Sequence, residues 1–472
     1  LSDSHCYTWL HIGLGGFHRS HQAWYLQQLI EADDNRWSIT AGNMRCNDEA
    51  IALTLLDQKG EYVLETISPQ GECKYQKISS IKNIIPWQEG LAPLITTGAL
   101  ASTKVVAFTV TEGGYYLDTN NHLDLTSDDI QADLACATQT IYGVVAQILR
   151  RRMAANHGPI TLLNCDNLRH NGDRFHGGLI EFLALQQDQK LLEWIAANVT
   201  CPNSMVDRIT PRPSAELPQR IKEKTGIIDN APVMAESYIQ WVMQDNFSGP
   251  RPDLASVGVE LVDCVVPYEE AKIRILNATH SCIAWAGTLL GKSFIYESVA
   301  IDFVRNLVFD YVTYDVIPSL AHVDIDLENY RDVVLERFAN PNIQDTNQRV
   351  AADGFSKMPA MITPTLLDCY QRDHSPAATA VLPAFFFIFL EKWHQDSLPY
   401  EYLDGIADKQ AVAAMFQSKD PIKVYASNNM LFGELAVKPE FERLLRETIG
   451  QLSLQLSQQQ QQEGSVSNTY PA

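Results

Sequence analysis

Apolar runs alternate with apolar stripes through the first half of the chain, and stripes alone fill the second. Tyr7–Gly13 (YTWLHIG) is a short apolar run closed by glycine, and Trp37–Ala41 is a second strand-like run. Lys104–Thr111 (KVVAFTVT) and Ile160–Cys165 (ITLLNC) are continuous and apolar, and the first is rich in β-branched residues. That is the pattern of strands buried on both faces. His18–Ile30 places Ala23, Leu26 and Ile30 at helical spacing, and Ile130–Ala154 and Leu191–Ala197 read as further helices. Strands alternating with helices predict a parallel, doubly wound α/β sheet with right-handed crossovers.

After about Pro267 the strand-like runs become rare. Long helical patterns cover Lys272–Gly287, Ser298–Val316, Ala377–Trp393 and Pro439–Gln455. These patterns predict an α/β domain over residues 1–262 and a mainly α-helical domain over 263–455. The loop-like stretch Asn246–Asp253 lies before the boundary. The glutamine-rich residues 456–472 predict a disordered polar tail.

With 472 residues, 46% of them hydrophobic, the chain has material for two or three domains with large cores. The formal net charge of −21 repels phosphate backbones, so nucleic acid is excluded as a partner. The nine cysteines include no CxxC pair and no zinc-type cluster, so reduced thiols, no metal and a cytoplasmic location are expected. No basic stretch followed by an apolar run marks a signal peptide. Leu382–Leu390 (LPAFFFIFL) is too short to span a bilayer and reads as a buried helix, so no membrane partner is expected.

His11-Ile12-Gly13-Leu14-Gly15-Gly16-Phe17-His18 follows a strand and opens a helix. In that context backbone amides approach a pyrophosphate, which makes Gly13, Gly15, Gly16 and Phe17 candidate dinucleotide contacts in a Rossmann-type domain. His18 stands where the usual fingerprint has its third glycine. Beyond the second strand, Asp48 is the candidate for the adenosine ribose, which favours NAD. Arg45 is the opposing clue, because an arginine there accepts a 2′-phosphate. Thr111 and Glu112, at the carboxyl end of a strong strand, should face the same cleft as the glycine loop.

Pro267–Gly287 (PYEEAKIRILNATHSCIAWAG) carries the chemistry. At about 100° per residue, Lys272, Asn277 and His280 fall near 0°, 140° and 80° on a helical wheel, with Glu269 near 60°. A lysine, an amide and an imidazole on an otherwise apolar helix are costly to bury. A site that removes a proton and steadies an alkoxide justifies that cost. At pH 7 fewer than roughly one in a thousand unperturbed lysines is neutral, and desolvation raises that share. Asn167, after the Ile160–Cys165 strand, is either a second amide donor or the cap of the next turn. Asp207 and Arg208 read as structural, paired with each other or with neighbours. Arg349 and Lys357 are either substrate contacts or a solvated basic pair.

Taken together these stretches resemble the polyol-specific long-chain dehydrogenases, the mannitol dehydrogenase family. The matching motifs are GLGGFHRSH (13–21), TVTEGGY (109–115), CDNLRHNG (165–172), NSMVDRITP (203–211), KIRILNATH (272–280) and DTNQRVAADGFSKMP (345–359). The resemblance implies a metal-independent, monomeric enzyme that exchanges hydride between NAD and a polyol–ketose pair. D-arabinitol and D-xylulose are the leading pair. Mannitol, another polyol and a hexuronate (fructuronate or tagaturonate) are the alternatives within the family, and a dinucleotide-binding regulator is the alternative outside it. By the same resemblance Lys272 is the general base, Asn167 and Asn277 hold the reacting oxygen, and His280 orients the substrate. Arg349 and Lys357 line the substrate site, and Glu269 is a proton-relay candidate.

Overall fold

A computed structural model describes residues 7–118 and 121–467 of the chain. It divides into two compact units. The first comprises residues 1–68 and 72–266, and the second residues 69–71 and 267–472.

Among its described residues the first unit holds twelve strands: β1 (Tyr7–Ile12), β2 (Trp37–Gly42), β3 (Tyr62–Ile67), β4 (Cys73–Ile78), β5 (Ile81–Ile85), β6 (Thr103–Phe108), β7 (Ile160–Asn164), β8 (Val199–Thr200), β9 (Ser204–Asp207), β10 (Val233–Glu236), β11 (Gln240–Gln244) and β12 (Glu260–Val262). Six form one parallel sheet in the order β5-β2-β1-β6-β7-β8. Counted within that sheet alone the order is 3-2-1-4-5-6, the Rossmann arrangement, and its direction of winding reverses between β1 and β6. Both faces are buried, as the unbroken apolar runs require. Trp9, Val105 and Ala107 pack to one side, where helix Gln22–Glu31 contributes Ala23 and Leu26. Leu10, Val106 and Phe108 pack to the other, under helices Ile141–Ala154 and Asn171–Leu185. Two three-stranded sheets, β10-β3-β4 and β12-β11-β9, complete the unit. They escape the sequence pattern because they are short or polar: in β4 (CKYQKI) only Ile78 is buried.

Several expected elements are interrupted. The helix expected over His18–Ile30 breaks at His21, whose ring meets the Gln240 carbonyl at 2.9 Å. The helix expected over Ile130–Ala154 is two helices. Between them the Asp133 carboxylate accepts from the backbone amides of Gln139 and Thr140 and from the Thr140 hydroxyl, and Thr140 caps the second. The strand expected to Thr111 ends at Phe108.

The second unit is helical among its described residues. Helix Ala278–Leu289 is its axis: every residue but His280 is buried. It packs on helices Ile295–Val299, Asn347–Ala351 and Val381–His394. A Cβ on Gly287 would lie 1.9 Å from Ser298 Oγ and 2.8 Å from Asn347 Nδ2, so glycine is what lets these helices close together. Leu382–Leu390 is the buried helix its composition predicts. Three segments, Lys272–Asn277, Tyr311–Val316 and Met358–Ile362, are π-helical. The expected disordered tail is corrected over residues 456–467, which prolong the last helix, Pro439–Ser467. Leu452 and Leu456 are buried and Gln460 donates to the Leu289 carbonyl at 3.0 Å, so apolar anchors and good helix formers carry the helix on. Residues 468–472 lie outside the described residues.

Candidate active site

In the first unit the carboxyl ends of β1, β2 and β6 open onto a cavity of about 510 Å³. Gly13, Asp48 and Thr111 of the expected cofactor residues line it, together with Asn43, Arg45 and Tyr116. Gly13 has φ +116°, and a Cβ there would sit 3.0 Å from Thr109 Oγ1. Gly15 is extended and exposed, with no atom within 4 Å of an added Cβ, so its backbone is open to a ligand. Gly16 starts the helix Gly16–Ser20, and Phe17 stacks on His21 at 4.9 Å; neither lines the cavity. The side chain of Glu112 lies outside the described residues.

Side chains below the cavity fix its loops. Asn43 accepts from the Leu14 amide at 2.9 Å and donates to the Asp48 carbonyl at 3.0 Å, tying the glycine loop to the turn after β2. The buried Asp166 carboxylate accepts from the amides of Val110 and Thr111, at 3.1 and 2.8 Å, and from the Tyr115 hydroxyl at 3.1 Å. It clamps Thr111 at φ +62°, ψ 169°, a region that β-branched residues avoid. Arg45 donates to Tyr116 Oη at 3.1 Å and lies 3.7 Å from Asp129, which also accepts from Tyr116. His18 is buried and stacked on His11 beneath the loop; burial, with Arg19 and His21 adding to it, pushes it down to about 3. Asn167 is exposed in the turn after β7. Arg208 donates to the carbonyls of Glu236 and Ser20, so it is tied to neighbours, one of the two structural arrangements expected.

The second unit carries the other expected residues. Lys272 and Glu269 are buried, and Asn277 and His280 are half-buried. The wheel drawn for an α-helix does not describe Lys272–Asn277. In a π-helix the bonds run i→i+5, so residues five apart lie much nearer to one face than the roughly 140° by which an α-helix separates them. Lys272 and Asn277 are five apart. The wide turn is held from outside: the buried Tyr311 hydroxyl donates to the Arg274 carbonyl at 2.9 Å, and the Arg274 guanidinium bonds Glu270, at 2.7 Å, and Asp368.

One helical turn on, His280 stacks on Phe338 with 4.5 Å between ring centres. Its buried Nε2 lies 3.3 Å from Oδ2 of Asp345, without an aligned hydrogen bond. Burial lowers the His280 pKa and the Asp345 carboxylate opposes that shift. Arg349 binds the same carboxylate in a two-pronged pair, through Nε at 2.7 Å and through Nη2. Burial alone would raise the Asp345 pKa, but His280 and Arg349 more than offset it and hold the carboxyl below its usual range. Lys357 donates to the Val350 carbonyl at 2.8 Å. Beyond these contacts Arg349 is exposed and Lys357 half-buried.

Residues 8–256 match the mannitol dehydrogenase Rossmann domain, and residues 264–453 match the mannitol dehydrogenase C-terminal domain. The chain belongs to the mannitol dehydrogenase family. It is an oxidoreductase of that family. A D-arabinitol 4-dehydrogenase of Klebsiella pneumoniae is 60% identical over 94% of this chain and 97% of its own length. One from Ralstonia nicotianae is 52% identical over 93% and 94%. Among solved structures, the Pseudomonas fluorescens mannitol 2-dehydrogenase in ternary complex with NAD and D-mannitol has 30% identity. It superposes with a TM-score of 0.85 over 98% of this chain and 95% of that one.

In this mannitol dehydrogenase family member Asn43, Asp166, Tyr311 and Asp345 support the site although no motif singles them out. A signal existed for Asp345 alone, which stands four residues before Arg349, the spacing of a helical ion pair. Among the described residues no group of three or more His, Cys, Asp or Glu side chains is placed to hold a metal ion. No helix among them is long and apolar enough to cross a membrane.

Proposed function

We propose that this enzyme oxidises a polyol to a ketose with NAD, D-arabinitol to D-xylulose being the leading pair. The observation that carries the proposal is the near-full-length likeness to two D-arabinitol 4-dehydrogenases. The chemistry of the second unit agrees with it.

NAD fits the first unit. The open backbone at Gly15, the cavity at the sheet's reversal point and Asp48 in its lining suit a dinucleotide with a free ribose. Arg45, the group that would meet a 2′-phosphate, is engaged by Tyr116 and Asp129, which favours NAD over NADP. NAD, when bound, supplies the hydride acceptor.

Lys272 accepts the hydroxyl proton as general base, and Glu269, three residues before it, is the candidate outlet for that proton. Asn277, one π turn from Lys272, donates to the oxygen as its negative charge develops. Asn167 of the first unit is assigned the second donor. His280 orients the substrate, with Arg349 and Lys357 binding its remaining hydroxyls. Pairing of Arg349 with Asp345 favours an uncharged polyol over a hexuronate, whose carboxylate calls for an uncompensated cation. No metal takes part in this scheme.

The test is NAD reduction across a panel of polyols, and NADH oxidation with ketoses and hexuronates. Wild type and Lys272→Ala are compared, with and without a strong chelator. D-arabinitol should be the best substrate and chelation should change nothing. The variant should lose roughly 10²- to 10⁴-fold in kcat with its fold intact. Near-normal turnover in Lys272→Ala, or activity restored only by added zinc, would refute the scheme.

A further inference from the structure

We propose that Asp345 is the residue that sets the charge class of the substrate, by cancelling Arg349 and holding His280 toward a neutral polyol. This deepens the proposed function and rests on it. Asp345 is 4% exposed, so its charge is not dispersed by water and must be met by neighbours. Two of those neighbours are expected substrate residues: Arg349 through two hydrogen bonds, and His280 Nε2 at 3.3 Å. The carboxylate is rigidly placed. The Ile295 amide donates to the Asp345 carbonyl at 3.0 Å, and the next residue, Thr346, bridges to Phe294 and caps the helix that carries Arg349.

Two consequences follow from this placement. A carboxylate facing Nε2 favours the tautomer with its proton there, which leaves Nδ1 of His280 as an acceptor for a substrate hydroxyl. The same carboxylate takes the Nε–Nη2 edge of Arg349 and compensates its charge, so a substrate carboxylate meets only the remaining end of an already paired guanidinium. Lys357 is the other cation of this cluster, and it acts on His280 in the same sense as Arg349. One buried anion thus tips the balance between neutral and acidic sugars.

Asp345→Asn keeps the shape and removes the charge. Its kcat/KM for D-arabinitol should fall about 10- to 100-fold, by analogy with carboxylates that orient metal-ligating histidines. Affinity for a hexuronate, read by quenching of bound-NADH fluorescence and so independent of turnover, should rise at least tenfold. The gain should fade with added salt and vanish in Asp345→Asn/Arg349→Gln. A purely structural carboxylate would produce losses only. Unchanged or weaker hexuronate binding in a folded Asp345→Asn protein overturns the proposal. Should that variant not fold, Arg349→Gln decides: with the anion uncompensated, hexuronate binding should drop at least tenfold below wild type, and an unchanged value overturns the proposal. If wild type turns over no polyol, the proposed function fails, while the binding arm still reports on Asp345 and Arg349.

Discussion

The two units build their sites by opposite means. The first makes its cavity from backbone, with strand ends, glycines and loops pinned from below by Asn43 and Asp166. The second keeps its candidate base within a helix and alters the helix itself, widening one turn and so bringing Lys272 and Asn277 nearer to one face. Backbone presentation suits a phosphate-bearing ligand, for which many weak donors and a close approach matter. Side-chain presentation from a packed helix suits proton transfer, where one amine has to be held to within a fraction of an ångström.

Inserting an alanine after Ile273 attacks the second strategy directly and should have the largest effect. One added residue swings Lys272 about 100° relative to Asn277 and His280, whereas removing one would close the turn to i→i+4 and leave all three on one face. We expect kcat to fall roughly 10²- to 10³-fold, the scale of losing one oxyanion donor, with NADH binding and helical circular dichroism retained. An unaffected kcat would mean that the bearing of Lys272 on Asn277 is incidental.

Glycine substitutions probe the first strategy. Gly13→Ala forces a Cβ into a backbone at φ +116° and against Thr109, which should cost about 1–2 kcal/mol of stability. Gly15→Ala meets neither obstacle, because that residue is extended (φ −63°) with open space beside it, so stability should change by less than about 0.5 kcal/mol. Its NADH affinity should nevertheless drop, since the methyl group stands where a pyrophosphate would approach. Equal stability losses in the two variants, by urea titration, would contradict this division of labour.

The same contrast explains what could be read in the chain. The sheet strands and the glycine loop were legible because a buried parallel strand must be apolar throughout and a close backbone approach must be glycine. Lys272, Asn277 and His280 stood out as polar residues on an apolar helix, but their mutual bearing did not, because a wheel drawn at 100° per residue assumes the α-helix. The residues behind the loops were hidden for a different reason. Asn43 reaches Leu14 across 29 positions and Asp166 reaches Thr111 across 55, and nothing local to either asparagine or aspartate marks such a partner. The extension of the last helix was missed because a glutamine run looks disordered by composition, although Leu452 and Leu456 keep an apolar stripe.

Acid should separate the units by a smaller, graded effect. His11 and His18 lie buried in the first unit. Burial lowers the His11 pKa, helped by the charge of His18, and burial takes His18 down to about 3. The half-buried His176 of that unit is also lowered by burial. In the unfolded chain each histidine titrates near its usual value of about 6.5. Below that pH the unfolded chain binds protons that the native unit refuses, so stability rises with pH and is fully present above about 6.5. Falling pH removes it at up to about 1.4 kcal/mol per pH unit for each fully shifted histidine, and for His18 the loss continues to about pH 3. In the second unit His280 is shifted the same way, while the lowered Asp345 carboxyl withdraws its contribution only below about pH 4. The first unit should therefore loosen first on acidification. Brief proteolysis at pH 8, 6 and 5 should release nicks within residues 1–266 before residues 267–467. Simultaneous cleavage, or nicks in the second unit first, would place the acid-sensitive step elsewhere.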